Sequence, residues 1–354
     1  MNIGIDVRKL QDYGIGSHIR NVVLHAARKA VEHRFFLYCD PADVACENGN
    51  FVWVAEKSSK YSFREHFALA KKAAEQRIDL FHAPHYTLPI RLSCRSIVTI
   101  HDLIHLKFSE YFPLWKVKGA EFVLQRAIAK ADVVLTVSNT SREDILERFP
   151  SARGKLEVLY NRLSEEWLRP VPEVNLGDIG IAKEFLLYVG NFKKHKGIDV
   201  LLDAYRTLKD PPQLVLVGNR GGMETELSER IFDTPNVRLL GLAEGALLRR
   251  LYAEATVFVF PSFYEGFGYP PLEAMISGAP VLSSDAPALR EILGGAAEFF
   301  TRGNVEDLAD RLQRLLGDSK KRQSLREFGI RHAKEFVSEK SPDQLLRIYQ
   351  RLEP

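Results

Sequence analysis

The chain has 354 residues, of which 45% are hydrophobic, 27% charged and 10% aromatic. This ordinary globular composition excludes collagen, coiled-coil and wholly disordered chains. Lys and Arg total 49 against 46 Asp and Glu, and this near balance argues against a nucleic-acid binder that relies on bulk charge. At about 100–200 residues per domain, the length predicts two domains.

The amino terminus and the cysteines indicate a cytoplasmic protein. MNIGIDVRKLQDYG has charges near its start and no apolar core, so we expect no signal peptide. No run of about 18 apolar residues predicts a membrane span. Three cysteines (Cys39, Cys46 and Cys94) cannot form a disulfide framework, which favours reduced thiols. Residues 55–72 mix basic and aromatic side chains that suit an anionic membrane surface, although a solvated helix face is the preferred interpretation.

Short apolar, β-branched runs alternate with amphipathic segments along the chain. Runs of this kind are typical of parallel strands that are covered by helices on both faces. In the first half, the expected strands are 3–7, 35–38, 51–54, 79–83, 96–100, 132–137 and 156–160. In the second half, they are 185–190, 213–218, 237–241, 256–262, 280–284 and 297–300. The alternation predicts an α/β fold with doubly wound parallel sheets.

The pattern restarts near residue 180 and divides the chain into two Rossmann-like domains. We assign residues 1–165 to the first domain, 166–181 to a linker with two prolines and two glycines, and 182–335 to the second domain. Residues 336–354 form a final helix, which Ser341-Pro342 is expected to open as cap and first turn. Because ligands of open α/β sheets bind at the carboxyl ends of the strands, residues that directly follow each strand are the candidates for chemistry.

The stretch FPSFYEGFGYPPLEAMISGAP (260–280) predicts the end of a strand, a glycine-containing loop and a short helix. The helix is expected to start at Pro270 and to end at Gly278. Glu265 lies in the loop, and Glu273 is expected in the first helical turn, where an anion is favoured. Carboxylates can accept hydrogen bonds from sugar hydroxyls, and free amides at the helix start can bind phosphate. A capping glutamate beside a solvated one is the structural alternative.

The stretch YVGNFKKHKGIDVLL (188–202) predicts a basic loop between a strand and a helix. Lys193, Lys194, His195 and Lys196 occupy that loop. Fixed cations at such a turn can neutralise the charge that develops on a leaving diphosphate. A solvated basic loop is the alternative for any single lysine.

The stretch DYGIGSHIRN (12–21) follows the first strand and opens a helix. Gly14 and Gly16 would let the backbone approach a ligand closely. The third glycine of a dinucleotide fingerprint is missing, which disfavours NAD binding.

The stretch VTIHDLIH (98–105) places His101 and Asp102 just after a buried strand. A histidine there can hydrogen-bond a sugar hydroxyl or act in acid–base chemistry. His82 and His85 follow another strand, but their spacing without a third ligand makes metal binding an unfavoured interpretation.

Other polar motifs are interpreted as structural. SNTSRED (138–144) predicts a helix start that Ser138 or Thr140 caps, and Asp6 and Arg8 follow the first strand. The sequence contains no nucleophile elbow, phosphate loop or HExxH motif, and no carboxylate cluster that resembles a magnesium site.

Together these motifs resemble those of the retaining, nucleotide-sugar-dependent glycosyltransferases of family 4, which have the GT-B fold. The most specific element is the Glu-x₇-Glu spacing within EGFGYPPLEAMISGAP. The individually weaker motifs occur in the family's order: GIGSHIRN, IHDL, VSNTSREDI, YVGNFKKHKG and LVLVGN. The resemblance implies two Rossmann-like domains facing across a cleft, with the acceptor on the first, the donor on the second and the final helix crossing back to the first.

The resemblance also implies roles for the candidate residues. Glu273 would bind the ribose hydroxyls, Glu265 the donor sugar and Lys196 the diphosphate. His101 would contact the 6-hydroxyl and the reacting face of the sugar. Many relatives have Arg where this chain has Asn191, so Lys193 or Lys194 is expected to supply the second cation. The remaining donor-binding positions are Gly14, Gly16, Gly266, Phe267, Gly268 and Leu272.

The expected activity is therefore the retaining transfer of a hexose from a nucleotide diphosphate sugar to a glycan or lipid-linked acceptor. No metal is expected, because the protein itself supplies the positive charge. Mannose from GDP-mannose is preferred on resemblance alone, to bacterial glycan and lipopolysaccharide mannosyltransferases. A sugar-nucleotide epimerase or hydrolase, a catalytically silent binding subunit and a two-domain dehydrogenase stay open. We expect no nucleic-acid partner, and peripheral contact with the inner membrane face stays open.

Overall fold

A computed structural model of the chain describes residues 1–43, 49–60, 62–219, 221 and 223–354. It contains two compact units. The first combines residues 1–162 with residues 338–354, and the second comprises residues 163–337. The expected linker, residues 166–181, lies in the second unit. Cys46 lies outside the described residues, whereas Cys39 is buried and Cys94 is partly buried.

The first unit is built on a parallel sheet. Its strands are β1 (Asn2–Asp6), β2 (Arg34–Cys39), β3 (Phe51–Ala55), β4 (Leu80–Ala83), β5 (Arg95–Thr99), β6 (Val133–Thr136) and β7 (Leu156–Val158). Their order in the sheet is β3-β2-β1-β4-β5-β6-β7. β1 is thus central, paired with β2 on one side and with β4 on the other.

Helices connect these strands. They are α1 (Tyr13–His18), α2 (Leu24–Lys29), α3 (Phe63–Glu75), α4 (Ile104–Lys107), α5 (Leu114–Lys130) and α6 (Asn139–Arg148). A π-helical turn, Ile19–Val23, joins α1 to α2, so that the first helical segment continues through both.

The second unit repeats the plan with a smaller parallel sheet. Its strands are β8 (Phe185–Val189), β9 (Gln213–Val217), β10 (Val237–Gly241), β11 (Val257–Phe260), β12 (Val281–Ser284) and β13 (Glu298–Phe300). Their order in the sheet is β10-β9-β8-β11-β12-β13. The helices are α7 (Ile198–Thr207), α8 (Thr225–Phe232), α9 (Gly245–Glu254), α10 (Tyr269–Ile276), α11 (Pro287–Leu293), α12 (Val305–Gly317) and α13 (Ser319–Lys334).

The strands lie where the sequence predicts them, within two residues at each end. The reason is visible in their burial, because every residue of β4, β6, β11 and β12 is buried. A strand covered on both faces has no position that faces water, so it stands out in the sequence as a mostly apolar run, and the few polar residues of these strands, such as His82 and Thr136, are buried with the rest. The predicted α/β fold with two doubly wound parallel sheets is confirmed.

The helix α14 (Lys340–Arg351) follows the second unit in the chain but belongs to the first. Leu345, Ile348 and Tyr349 lie in the core of the first unit with at most 2% of their surface exposed. The helix begins at Lys340, so the prediction that Ser341 caps it is wrong. Glu339 occupies the cap position without a side-chain cap bond, and Pro342 lies in the first turn, where a missing N–H costs nothing.

Candidate functional site

The strand order of the second sheet reverses at β8. β9 and β10 extend the sheet on one side of β8, and β11 to β13 extend it on the other. In open α/β sheets such a reversal leaves a crevice at the carboxyl ends of the strands, where ligands bind. The segment after β8 carries Lys196 and the segment after β11 carries Glu265, so the topology places both at this crevice.

Lys196 and Glu265 form an ion pair. Lys196 Nζ lies 2.5 Å from Glu265 Oε1, and each side chain is only 13% exposed. The ammonium also lies 5.7 Å from the centre of the Phe260 ring, within the range of a cation–π contact. Because both charges are largely removed from water, their attraction is stronger than that of a surface pair. Two residues 69 positions apart, each singled out from the sequence, are thus brought together.

Backbone contacts hold the two segments in register. The His195 carbonyl accepts hydrogen bonds from Phe263 N–H at 2.8 Å and from Ser262 Oγ at 3.2 Å. Gly197 adopts φ +67°, and a Cβ there would lie 2.2 Å from the Pro261 carbonyl oxygen. Only glycine fits a left-handed position this close to another backbone, so the residue next to Lys196 is fixed by packing.

Glu273 accepts a hydrogen bond from a tyrosine that the sequence did not indicate. Tyr252 Oη, on α9, donates to Glu273 Oε2 at 3.1 Å. Burial, together with the nearby Glu273 carboxylate, raises the pKa of Tyr252 well above its ordinary value. The phenol therefore stays protonated and donates, which orients the carboxylate.

The start of α10 differs from the prediction. The helix begins at Tyr269, so Glu273 is its fifth residue and lies beyond the first turn. Pro270 and Pro271 follow Tyr269 and have no N–H to offer. Of the first three residues of this helix only Tyr269 has an N–H, so the binding of phosphate by its amides stays a prediction.

The loop before α10 does present amides. The N–H groups of Phe267 and Gly268 make no hydrogen bond with the described part of the chain. Gly268 has φ +101°, and a Cβ there would lie 2.6 Å from Leu289 Cδ2, so a side chain at this turn would be strained and would have to displace Leu289. Gly266, in the same loop, is buried. Free donors for a ligand are thus in the loop.

Two predicted donor-binding side chains point into the protein. Leu272 is completely buried. Phe267 is 4% exposed and packs against Tyr269 and Phe336, with ring centres 5.4 and 5.8 Å apart. The side chains of Leu272 and Phe267 therefore serve the packing of the second unit and do not line a ligand site.

The basic loop separates into distinct environments. Lys194 Nζ lies 3.2 Å from Glu224 Oε1, in an exposed pair. Lys193 is exposed and makes no ion pair with the residues that the structure describes. His195 is 8% exposed. Of the three lysines predicted to bind diphosphate, only Lys196 is paired with Glu265. Lys194 is paired with Glu224, whereas Lys193 is exposed and makes no ion pair with the described residues.

The first sheet reverses its order at β1, and polar residues at the end of this strand and just after it form a buried network with Glu65 of α3. Arg8 is 2% exposed and pairs with Asp6 at 2.6 Å and with Glu65 at 3.0 Å. The guanidinium is thus engaged by two carboxylates, which agrees with the structural interpretation of Asp6 and Arg8.

Gly14 and Gly16 lie inside the first turns of α1, since the helix begins at Tyr13. A Cβ at Gly16 would lie 2.3 Å from the Leu10 carbonyl oxygen. Packing of the helix on the preceding loop therefore requires this glycine. Gly14 is exposed at the helix start, so of the two it is the more accessible to a ligand.

His101 follows β5 and is held on several sides. Its Nε2 lies 2.9 Å from the Pro84 carbonyl oxygen, which fixes the ring orientation. Ser141 Oγ donates to the His101 carbonyl at 3.1 Å. Burial lowers the pKa of His101 below its ordinary value, so the imidazole is neutral at neutral pH. With Nε2–H donating to Pro84, Nδ1 is left as a hydrogen-bond acceptor.

His18 packs against His101, and the sequence analysis did not single it out within the GIGSHIRN motif. The two rings meet edge to face with their centres 4.9 Å apart. His18 Nδ1 lies 2.8 Å from Asn161 Oδ1, and burial holds the pKa of His18 well below its ordinary value. The hydrogen bond between His18 and Asn161 spans 143 residues of sequence, which local patterns cannot show.

Ser138 and His82, two other residues that the sequence analysis considered, have structural contacts in the first unit. Ser138 caps α6, because its Oγ accepts from Ser141 N–H at 3.1 Å. His82 Nδ1 lies 2.8 Å from Tyr349 Oη, and its Nε2 lies 3.4 Å from Thr99 Oγ1. His82 is thus a core residue that joins β4 to α14.

Two glycosyltransferase family models match the chain, one in each half. Residues 178–332 match the family model described as "Glycosyl transferases group 1", and residues 13–165 match "Glycosyltransferase Family 4". The O-antigen chain mannosyltransferase B of Escherichia coli is 31% identical over 284 residues, which are 77% of this chain and 74% of that protein. The O-antigen chain mannosyltransferase RfbU of Salmonella typhimurium is 29% identical over 246 residues, 65% of each chain.

A solved structure has the same fold over its length. The crystal structure of Anabaena HepE in complex with UDP-glucose matches with a TM-score of 0.76 at 16% identity, over 99% of each chain. In the residues described here, no helix combines the length and the apolar character needed to span a membrane.

Proposed function

The chain belongs to the family 4 glycosyltransferases with the GT-B fold, and from this premise we propose that it transfers a hexose from a nucleotide diphosphate sugar to a glycan or lipid-linked acceptor in polysaccharide biosynthesis. The observation that carries the proposal is the Lys196–Glu265 pair at the switch point of the second sheet. An ammonium and a carboxylate held side by side match a donor that has a diphosphate next to sugar hydroxyls.

In this proposal each group of the donor has a counterpart in the second unit. Lys196 turns from Glu265 to the diphosphate, which leaves the Glu265 carboxylate to accept from the sugar hydroxyls. The backbone N–H groups of Phe267 and Gly268, in the loop before α10, donate hydrogen bonds to the nucleotide sugar. Glu273, oriented by Tyr252, accepts from the ribose hydroxyls. In the first unit, His101 offers its Nδ1 to a sugar hydroxyl.

The second diphosphate cation is proposed to be Lys193. Lys194 is engaged with Glu224, whereas the Lys193 side chain is exposed and can reorient at little cost. The Lys193→Ala variant is then expected to lose more donor affinity than Lys194→Ala. Equal losses would assign the role to neither lysine alone.

The reaction proposed is a retaining transfer that needs no metal ion. The anomeric C–O bond to the diphosphate breaks, and the acceptor oxygen bonds to the same face of the anomeric carbon. The hydroxyl proton of the acceptor passes to a departing phosphate oxygen. Lys196, Lys193 and the loop amides stabilise the negative charge that develops on the diphosphate. Activity that EDTA abolishes and magnesium restores would contradict this step.

The donor proposed first is GDP-mannose. Two relatives at 31% and 29% identity are named mannosyltransferases, whereas the HepE structure contains UDP-glucose. Thermal unfolding with GDP, UDP, ADP and their sugars tests this choice, since at equal ligand concentration the nucleotide that binds most tightly stabilises the folded chain most. Tighter binding of UDP-glucose than of GDP-mannose would overturn it.

Transfer assays on site variants test the role of the pair. We expect Lys196→Ala and Glu265→Ala each to lower kcat by roughly 10²–10³, the usual effect of removing one electrostatic contact to the transition state. Lys183→Ala, an exposed lysine before β8, is the matched control and should keep wild-type turnover. Normal turnover in both site variants would refute the assignment. Donor consumption at the full rate without any acceptor would instead indicate a hydrolase or an epimerase.

A further inference from the structure

The imidazole of His18 packs against that of His101, the residue proposed to accept a hydrogen bond from a sugar hydroxyl. The ring planes are 86° apart and the ring centres 4.9 Å apart, so the edge of one ring meets the face of the other. His18 is completely buried, whereas His101 is partly exposed. A side chain without exposed surface cannot touch a substrate, so any influence of His18 on the reaction must pass through His101.

Asn161 holds His18 in one tautomer. His18 Nδ1 lies 2.8 Å from Asn161 Oδ1, and Nδ1 carries the proton because a carboxamide oxygen only accepts hydrogen bonds. Asn161 is itself buried, so water does not compete for this bond. Burial, together with the nearby His101 imidazole, lowers the pKa of His18 well below its ordinary value. The ring is therefore neutral and places no charge beside His101.

The other nitrogen of His18 adds nothing to this orientation. Nε2 is buried and makes no hydrogen bond with the part of the chain that the structure describes. A buried acceptor without a partner is unfavourable, and an apolar ring at this position would avoid it. Among the described residues, the bond to Asn161 is thus the polar contact that sets the plane of the His18 ring.

His101 has the opposite tautomer. Its Nε2 donates to the Pro84 carbonyl at 2.9 Å, which leaves Nδ1 as the acceptor. A single hydrogen bond at the end of an imidazole still lets the ring swing about that contact. The perpendicular His18 ring occupies the space beside it, and close packing of this kind leaves little room for such a swing.

We propose that His18 and Asn161 are positioning residues for His101. Asn161 fixes the plane of the His18 ring, and this ring holds the His101 imidazole so that Nδ1 is the nitrogen presented to the sugar. The inference rests on the proposed function, since it concerns how the sugar-facing histidine is oriented. His18 and Asn161 are 143 positions apart, so the orientation of His101 depends on both ends of the segment 1–162.

Nitrogen-15 NMR of the histidine side chains tests this geometry on the full chain without ligands. Such spectra distinguish the two neutral tautomers, and His18→Gln and His101→Gln variants assign the signals. In wild type, His18 should show the Nδ1–H tautomer and His101 the Nε2–H tautomer. In His18→Ala, the His101 signals should move to the average of a ring that exchanges between tautomers, and Asn161→Leu should produce a smaller shift. Unchanged His101 signals in His18→Ala would overturn the proposal.

Transfer kinetics test the consequence for the reaction. His18→Ala should lower kcat by roughly 10–100-fold, the usual effect of a misplaced group at the reacting centre. The KM for the donor should change little, because the proposed donor contacts lie mainly in the second unit. A His18→Phe, Asn161→Leu double variant keeps an aromatic ring beside His101 and leaves neither polar partner unpaired, so it should recover most of the lost turnover. A loss as large as that of His18→Ala would overturn the role of the ring.

His33 provides the matched control. It is 6% exposed in the first unit and meets the Phe35 ring edge to face, with ring centres 6.3 Å apart. It directly precedes β2, so it lies at the opposite edge of the sheet from the carboxyl ends of the strands. In urea unfolding His33→Ala should lose stability much as His18→Ala does, but it should keep wild-type kcat and His101 signals. An equal loss of kcat in His33→Ala would assign the effect to general destabilisation and overturn the proposal.

The proposed function and this inference can fail separately. Normal turnover in His101→Ala would remove the proposed role of His101 in transfer, whatever the spectra show. Lost turnover in His101→Ala, with wild-type turnover and wild-type His101 signals in His18→Ala, would overturn the positioning by His18 and leave the proposed function standing.

Discussion

Single residues set the precision of the candidate site, and glycine is the clearest example. Gly197 separates Lys196 from α7 and takes a left-handed conformation against the Pro261 backbone. A side chain there must displace the segment that carries Glu265, because the nearest atoms belong to the main chain. The distance between the Lys196 ammonium and the Glu265 carboxylate thus depends on the absence of a Cβ atom at Gly197.

A comparison of two glycine variants tests this dependence. Gly197 and Gly245 have similar φ angles, +67° and +55°, but a Cβ at Gly245 has no atom within 4 Å. We expect Gly245→Ala to cost about 1 kcal/mol of unfolding free energy from backbone strain alone. Gly197→Ala should cost several times more and should also lower transfer activity. Urea unfolding measures both losses, and equal losses would contradict the steric argument.

The residues of the candidate site were predictable to the extent that strand ends were predictable. Lys196 and Glu265 could be singled out because each lies in the loop that follows an apolar run. Tyr252 and His18 could not be singled out, because in the sequence each resembles any other residue of a helix. Their roles depend on distant partners, Glu273 for Tyr252 and Asn161 for His18. The position of Glu273 in α10 was missed because the paired prolines suggested a start one residue too late.

At the scale of elements, caps and strand ends decide where the functional segments lie. Ser138 caps α6, and Ser141 in the first turn of this helix donates to the carbonyl of His101. The end of β5 and the start of α6 are therefore joined by side-chain hydrogen bonds. The sequence offered Ser138 and Thr140 equally as caps, because the choice depends on the backbone conformation at the boundary.

The cap gives a prediction for α6. Ser138→Ala removes the acceptor for Ser141 N–H, and we expect it to cost about 1 kcal/mol of unfolding free energy. Ser138→Gly should cost only a few tenths, since glycine leaves the helix end open to other partners. Thermal and urea unfolding of the two variants give the comparison. A larger loss for glycine than for alanine would show that Ser138 does not act as a cap.

At the scale of the whole molecule, buried neutral histidines make the first unit sensitive to acid. Burial lowers the pKa of His82 to about 3 and that of His18, His85 and His101 below the ordinary value. In the unfolded chain these imidazoles take up protons near pH 6.5, so below that pH the unfolded state binds more protons than the folded state. Stability is therefore full above about pH 6.5 and falls as the pH is lowered.

Unfolding experiments across this range test the linkage. Between pH 6 and pH 5, each histidine that stays neutral in the folded state lowers the unfolding free energy by about 1.4 kcal/mol per pH unit. We expect His82→Gln to reduce this slope by about 1.4 kcal/mol per pH unit, the contribution of one histidine. The substitution also weakens the contact with Tyr349. An unchanged slope in His82→Gln would contradict the linkage.

The division of the first unit between two parts of the chain gives a further prediction. Truncation after Val337 removes α14, whose Leu345, Ile348 and Tyr349 lie in the core of the first unit. Burial of each such side chain contributes roughly 1.5–3 kcal/mol, so their joint loss is comparable with the whole stability of a domain. Hydrogen exchange should show β1 to β7 unprotected and β8 to β13 unchanged. Native protection of the first sheet in the truncated chain would contradict this.

The same helix has a consequence for biosynthesis. A ribosome delivers all seven strands of the first sheet before it has made any strand of the second, yet α14 emerges only after the whole second unit. The nascent first unit must therefore wait with an uncovered groove while the later unit is completed. The first unit is thus translated first but completed last. During that interval molecular chaperones can bind the apolar surface that α14 later covers.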